Sequence, residues 1–359
     1  MGLYGIGQAV LREEDPRLLK GKGRYADDFA PAGLARGVVL RSPYAHAAIA
    51  SINAAPARAA PGVLAVLTGE DLKQRGLGAQ RPLQPRKRSD GSPAHVTPQP
   101  LLADDRVRFV GQPVAFVIAE TLAQARDAAE LIEIDYDPLP AVVSVDQATA
   151  ADAPPVWDEN PGNEAFFHEV GDAAATEAAF ATADHIVSHR IVINRITTNS
   201  MEPRGCIGEY DPVDDQYTIR CTVQSVHRIR GILANAYFKK PQNHFRVVCD
   251  NMGGGFGMKG GCYPEYALSL WAAEVTGRPV KWIAERSEGI LSDEQARDSV
   301  VEAELALDTQ GNFLALRTLS KTAMGAYNTS DRNVLPTFVA IGCLANTYKT
   351  PAIHARVMG

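Results

Sequence analysis

Six glycines in nine residues form the part of the sequence best suited to holding a ligand. Residues 253–261 read GGGFGMKGG, after an apolar stretch at residues 245–249 and before a helical pattern that starts at Pro264. Without Cβ atoms, backbone N–H groups can approach an anion or a flat ligand closely. The run is not a Walker A loop, and it is not a clean dinucleotide fingerprint. It predicts a cofactor cradle, with a flexible connector as the alternative.

A second polar feature lies where a predicted strand gives way to a predicted helix. Thr222, Val223 and Gln224 follow the alternating stretch at residues 217–221 and precede a helical stretch at residues 228–237. At such a strand end the Gln224 amide is able to point at a ligand. On chemistry alone, an ordinary capping or solvent-facing role for Gln224 stays open.

Two further patterns contain residues that could bind or catalyse. Residues 201–204 (MEPR) place a Glu and an Arg around a proline, which could orient a ligand, although a surface ion pair is the default expectation. His185 and His189 share one face of a predicted strand with no third ligand nearby in sequence, so a packing or surface role is favoured over a metal site. No GxSxG or HExxH motif occurs.

Composition excludes several classes of protein. The 359 residues are 45% hydrophobic and have a net charge of −6, which indicates a soluble globular chain of about two domains. The mild negative charge argues against nucleic-acid or anionic-membrane binding, and no apolar run approaches the ~18 residues of a membrane span. The short basic cluster at residues 86–88 lacks aromatic neighbours and predicts a solvated loop.

The five cysteines form no CxxC pair, so neither an iron–sulfur cluster nor a zinc site is expected within this chain. They are odd in number and far apart in sequence, which predicts reduced thiols in a cytoplasmic protein. The positions are Cys206, Cys221, Cys249, Cys262 and Cys343.

The elements that must position these residues alternate between strand and helix patterns. Short β-branched runs, a Thr121 capping box and two hairpin patterns, residues 207–221 and 300–319, predict an α/β (α+β) fold. A helix is predicted from Pro264 to Thr276, with one apolar face and Gly277 just past its end. Prolines between residues 150 and 163 predict a domain boundary there.

Several motifs together resemble the molybdenum-binding large subunit of the xanthine oxidase family, especially its carbon monoxide dehydrogenase-like bacterial members. The resemblance runs over nearly the whole chain, with the motifs in the family's order. They lie at residues 12–28, 41–47, 114–143, 201–205, 222–224 and 253–257. It implies an α/β hammerhead domain at residues 1–150 and, at residues 151–359, the first part of a molybdopterin-binding domain that is expected to be incomplete.

The resemblance also implies roles for particular residues. Gln224 would hydrogen-bond an oxo ligand of molybdenum, and the backbone N–H of Phe256 would approach an oxygen ligand of the metal. Gly254, Gly255 and Gly257 would line the cofactor. The general-base glutamate of the family is expected outside this chain, so no catalytic residue is assigned.

The implied reaction is oxidative hydroxylation of a small molecule, such as carbon monoxide, an aldehyde or an N-heterocycle, with water as the oxygen source. The cofactor would be molybdopterin, expected as the cytosine dinucleotide, with 2Fe–2S clusters and FAD on partner subunits. Gly260 stands after Lys259 where purine-oxidising members have a Glu, which disfavours a purine substrate.

Two alternatives accompany this hypothesis. A split or truncated subunit would stay inactive until a C-terminal partner chain completed the molybdopterin site. A non-redox protein could instead use the glycine loop to bind a nucleotide phosphate, but that reading leaves the other motifs unexplained.

Overall fold

The computed structural model describes residues 5, 7, 9–82, 86–329 and 335–359. Within these residues the strands form three sheets. The strands are β1 Ala35–Arg41, β2 Ala47–Asn53, β3 Val63–Thr68, β4 Arg106–Val107, β5 Pro113–Ala119, β6 Glu133–Pro138, β7 Phe167–Gly171, β8 His185–Ile193, β9 Gly205–Asp211, β10 Gln216–Cys221, β11 Phe245–Val248, β12 Val280–Ile283, β13 Ser299–Leu307, β14 Phe313–Thr322 and β15 Ala352–Met358.

Short helices connect these strands and cover the sheets. They are α1 Asp15–Leu19, α2 Ala55–Arg58, α3 Gly69–Arg75, α4 Leu122–Glu130, α5 Val145–Ala148, α6 Ala173–Ala181, α7 Val226–Ile232, α8 Pro264–Thr276 and α9 Arg286–Ser292. A π-helical turn, Leu233–Phe238, extends α7, so the helix predicted over residues 228–237 is present but changes its winding. None of the helices in the described residues is long and apolar enough to cross a membrane.

The largest sheet contains strands from both sides of the expected domain boundary. Its order is β11-β10-β9-β12-β1-β5-β3, and a five-stranded sheet (β7-β15-β14-β13-β8) and a three-stranded sheet (β4-β2-β6) stand beside it. Strand β1 pairs parallel with β12 and antiparallel with β5. The mixed α/β fold class is therefore confirmed. The boundary at 150/151 stays a prediction, because the segments on its two sides share one sheet and one core.

Helix α8 lies against this sheet and forms the centre of the main core. It begins at Pro264 and ends before Gly277, which adopts the left-handed conformation (φ 63°) that closes helices. Residues 264–273 are all buried, so the expectation of a single apolar face is wrong. Val275, in the last turn of the helix, is exposed.

The predicted local motifs of capping and pairing are present. The Thr121 hydroxyl accepts a hydrogen bond from the backbone N–H of Gln124 at the start of α4. Strands β9 and β10 pair antiparallel, as do β13 and β14. The basic cluster at residues 86–88 lies outside regular helices and strands, and Arg88 pairs with Glu164.

Candidate functional site

The glycine loop runs from the end of β11 to the start of α8 in a conformation that few residues can adopt. Gly254 (φ 98°) and Gly257 (φ 84°) have positive φ angles, and so does Phe256 (φ 51°). A non-glycine residue in this region is strained by about 1–3 kcal/mol and persists only where its surroundings hold it. The Phe256 side chain is 72% exposed, so packing of the ring into the core does not explain its conformation.

Four consecutive backbone N–H groups of this loop lack a protein acceptor. Within the described residues, the N–H groups of Gly254, Gly255, Phe256 and Gly257 donate no hydrogen bond, whereas those of Gly253 and Lys259 do. The N–H of Gly253 bonds to Glu202, and that of Lys259 bonds to the carbonyl of Gly255. A row of N–H groups without protein acceptors is suited to binding oxygen atoms of a ligand.

Gln224 lies directly against this loop. Its backbone N–H donates to the carbonyl of Lys259 at 2.9 Å. A Cβ atom placed on Gly255 would lie 2.7 Å from Cδ of Gln224, so only glycine allows the two to approach this closely. The Gln224 side chain is exposed, and its amide has no hydrogen-bond partner within the described part of the chain. The structure therefore brings together the two features that the sequence singled out.

Glu202 anchors the start of the loop. Its carboxylate accepts a hydrogen bond from the N–H of Gly253 at 2.8 Å and from Nζ of Lys259 at 3.1 Å. The backbone N–H of Glu202 donates in turn to the carbonyl of Gly253 at 3.1 Å. Lys259 Nζ also donates to the carbonyl of Glu202 at 2.8 Å. Both ends of the glycine run are thus fixed to one residue of the 201–204 motif.

The ammonium group that completes this anchor is buried. Lys259 has no solvent-accessible surface, and the Glu202 side chain is 14% exposed. Burial lowers the pKa of Lys259, and the facing Glu202 carboxylate opposes that change. A buried charge of this kind is tolerated because its partner and hydrogen bonds are in place.

Arg204, at the other end of the same motif, is fully buried, so the default expectation of a surface ion pair is wrong. Its guanidinium donates to Glu265 at 2.8 Å and to Asp293 at 2.5 Å, and it lies 3.7 Å from the ring centroid of Tyr263. The cause is the position of the motif at the start of β9, which runs through the middle of the large sheet. Arg204 therefore ties β9 to α8 and to the end of α9.

Glu265 also forms an ion pair with a second arginine, which lies in the N-terminal part of the chain. Arg41, on β1, donates to Glu265 at 2.6 Å and pairs with Glu288 at 2.8 Å. Burial on its own raises the pKa of Glu265, but Arg204 and Arg41 outweigh burial and lower the pKa to about 2. This charge network fixes the first turn of α8, and with it the end of the glycine loop.

Two domain families match the chain in the order of its residues. Residues 20–140 match the aldehyde oxidase and xanthine dehydrogenase a/b hammerhead domain, and residues 156–359 match the molybdopterin cofactor-binding domain. The second match alone covers more than half of the chain. The chain belongs to the xanthine oxidase family of molybdenum hydroxylases.

Curated relatives and solved structures of this molybdenum hydroxylase chain agree with that assignment. The carbon monoxide dehydrogenase large chain of Hydrogenophaga pseudoflava is 35% identical over all of this chain and 45% of the relative. Quinoline 2-oxidoreductase from Pseudomonas putida 86 superposes with a TM-score of 0.89 at 34% identity, over 98% of this chain and 44% of that chain. CO dehydrogenase from Oligotropha carboxidovorans gives 0.88 at 33% identity, over 99% and 44%. The chain spans less than half the length of these relatives.

The site of this molybdenum hydroxylase chain fits the molybdenum cofactor that the family implies. Four N–H groups and one amide, all without partners among the described residues, lie side by side, and all are donors suited to the oxygen and sulfur atoms of such a cofactor. Gly255 leaves no side chain between them. The residues that would hold the cofactor are thus Gln224 and residues 254–257.

The histidines and cysteines that the sequence singled out are not part of the glycine-loop site. His185 and His189 are exposed on β8, and no group of three or more His, Cys, Asp or Glu side chains in the described residues could hold a metal ion. All five cysteines are free thiols. Cys206 and Cys221, distant in sequence, stand directly opposite each other on β9 and β10. Burial raises the pKa of Cys206 to about 12, so it stays protonated.

Sequence reasoning missed the supporting charges of the site. Glu202 was noted only as part of a motif, Lys259 only for the residue after it, and Glu265 was not singled out. A usable signal existed for two of them. Glu265 is the one charged side chain in the otherwise uncharged stretch of residues 264–273, and Lys259 is a lone cation among glycines. A charge in such a setting predicts a buried partner.

Proposed function

We propose that this chain holds the molybdopterin cofactor of an oxidoreductase that hydroxylates a small molecule with water as the oxygen source. The observation that carries the proposal is the juxtaposition of the Gln224 amide with four free N–H groups at residues 254–257. The cofactor, when bound, supplies the two-electron redox chemistry, and the protein supplies binding and orientation.

The chain's own residues act as preorganised donors. The N–H of Phe256 and the amide of Gln224 would each hydrogen-bond an oxygen atom around the metal, and the N–H groups of Gly254, Gly255 and Gly257 would face the rest of the cofactor. Glu202 and Lys259 do not face the ligand; they hold the loop in the conformation that aims these donors. Preorganised donors of this kind need no rearrangement during the reaction.

We also propose the form of the cofactor, the partner subunits, the cellular location and the substrate classes. The cofactor is proposed as the molybdopterin cytosine dinucleotide, with electrons passing to 2Fe–2S clusters and FAD on partner subunits. The absence of a CxxC pair supports a separate iron–sulfur subunit, and the five free thiols support a cytoplasmic location. Carbon monoxide, aldehydes and N-heterocycles are the proposed substrate classes. No residue of this chain is proposed as the general base.

The alternative within the same family is a chain that holds its cofactor only after a C-terminal partner chain joins it. This chain spans 45% of one of its relatives and 44% of another, so the two versions are separated by where the cofactor is found.

Metal and pterin analysis tests the proposal and separates the two versions. Stoichiometric molybdenum and pterin on the purified chain support a site that is complete in this chain. Molybdenum found only in the complex with partner chains supports a site that a C-terminal partner chain must complete. Neither molybdenum nor pterin in either preparation, with binding of ATP or NAD, contradicts the proposal and favours a nucleotide-binding protein.

A further inference from the structure

A cavity separate from the glycine loop lies at the edge of the large sheet. Its volume is about 350 Å³, and residues of β10, β11, α7 and the turn Gln242–His244 line it. This size falls at the lower end of the range for small-molecule sites. Nothing in the proposed cofactor site uses these residues.

Basic side chains without an ion-pair partner among the described residues line the cavity. Arg246 on β11 and Arg230 on α7 line it, together with His227, which lies three residues before Arg230 on the same face of the helix. In the part of the chain that the structure describes, neither arginine makes an ion pair or a side-chain hydrogen bond. The Nε atom of Arg230 is buried and lacks an acceptor. An unsatisfied buried donor costs about 1–3 kcal/mol, which a bound acceptor would recover.

Uncharged donors complete the lining. Thr218 stands beside Arg246 in the parallel register of β10 and β11, and Asn243 and Gln216 add amide groups. Among the described residues, no acidic side chain lines the cavity. The nearest carboxylate in sequence, Asp215, is already engaged by Lys240 at 2.6 Å and by His244 at 3.3 Å. Glu209 stands opposite Thr218 on the neighbouring strand β9 but does not line the cavity, so the charged side chains of the lining are basic.

We propose that this cavity binds a small phosphate-bearing ligand. Two guanidinium groups offer paired N–H donors that match phosphate oxygens, and the amides and the hydroxyl can bond the remaining oxygens. A single carboxylate has only two oxygens and would leave several of these donors unused. The apolar side chains of Val226 and Val247 also line the cavity and could contact an organic group attached to the phosphate.

Titration calorimetry on the full 359-residue chain tests this site with inorganic pyrophosphate and, separately, with AMP. We expect saturable binding at one site per chain. The Arg230→Gln/Arg246→Gln double variant should bind about tenfold more weakly or worse, because it loses two charge-assisted contacts. Tighter binding of AMP than of pyrophosphate would identify a nucleotide, and the reverse would identify a free polyphosphate.

Arg356→Gln is the matched control. Like Arg246, Arg356 is an exposed strand arginine without an ion pair in the described residues, but it lies on β15 in the five-stranded sheet. Its affinity should equal that of the unchanged chain. If the double variant fails to fold, Arg246→Gln alone gives the same comparison, because that side chain is exposed. Absence of saturable binding, or equal affinity in all variants, overturns the proposal. Molybdenum content should not differ among the variants, which separates this test from that of the cofactor site.

Discussion

Nζ of Lys259 lies 3.1 Å from Oε2 of Glu202, and this single buried ion pair connects three motifs that are distant in sequence. Glu202 belongs to the motif at residues 201–204 and holds Gly253. Lys259 belongs to the glycine loop, and its carbonyl accepts the N–H of Gln224. The position of the Gln224 amide relative to the loop therefore depends on the pair.

Removing the charge of Glu202 should destabilise the chain strongly. In Glu202→Gln the shape is kept, but the Lys259 ammonium stays buried without a counter-charge. We expect the free energy of unfolding to fall by about 3 kcal/mol, measured by urea denaturation at pH 7.

The matched control is Glu177→Gln, which removes one carboxylate from an exposed ion pair with Arg317. That change should cost less than about 1 kcal/mol. Equal losses in the two variants would mean that the Glu202 pair contributes no more than a surface pair.

Glu265 should make the stability of the chain depend on pH in acid. Its folded pKa of about 2 lies below the ordinary 4.5. The ionised carboxylate therefore stabilises the fold fully above about pH 4.5, and this contribution, about 3 kcal/mol, is lost as the pH falls toward 2. Urea denaturation between pH 7 and pH 2 measures it.

Arg41→Met isolates the cause of that dependence. It removes one of the two cations beside Glu265, so the pKa of Glu265 should rise and acid unfolding should begin at a higher pH. An unchanged acid transition would show that Arg41 does not stabilise the ionised carboxylate.

Local elements of the fold could be predicted from sequence because local chemistry specifies them. Proline at the start and glycine just past the end define α8, and a Thr-Gln capping box opens α4. The pairing of β1 with β12 could not be predicted, since its partners, Ala35 and Val280, are far apart along the chain. Such long-range pairing depends on packing of the whole sheet, and no short pattern encodes it.

In the candidate site too, local features could be predicted from sequence and long-range packing could not. The glycine loop could be found from its residue types, and the role of Gln224 from the resemblance to the family. The burial of Arg204 and Lys259 could not, because it depends on which strands and helices cover them. A charged residue looks the same in sequence whether it faces water or a buried partner.

Gly255 should be required for cofactor retention. A side chain at this position would collide with Gln224, 2.7 Å away, and would fill the space between the two groups of donors. Gly255→Val should therefore lose most of its molybdenum and pterin while the far-UV circular dichroism stays unchanged. Metal analysis of the purified variant measures the loss.

Gly231→Ala is the control for that experiment. A Cβ at Gly231 meets only ordinary contacts, the nearest at 3.7 Å, and alanine is favoured over glycine in a helix. Its cofactor content should be normal. Normal content in Gly255→Val as well would exclude the loop from the cofactor site.

Gln224 should affect the rate of the reaction more than the retention of the cofactor. Gln224→Ala removes one side-chain donor and leaves the four N–H groups of the loop in place, so molybdenum content should stay near normal. Because we propose that this amide orients a ligand of the metal, reduction by substrate in the complete complex should slow by about 10- to 100-fold. Gln310→Ala, at an exposed turn, is the control and should react at the normal rate. Stopped-flow absorbance measures both rates, and an unchanged rate in Gln224→Ala would contradict the role proposed for its amide.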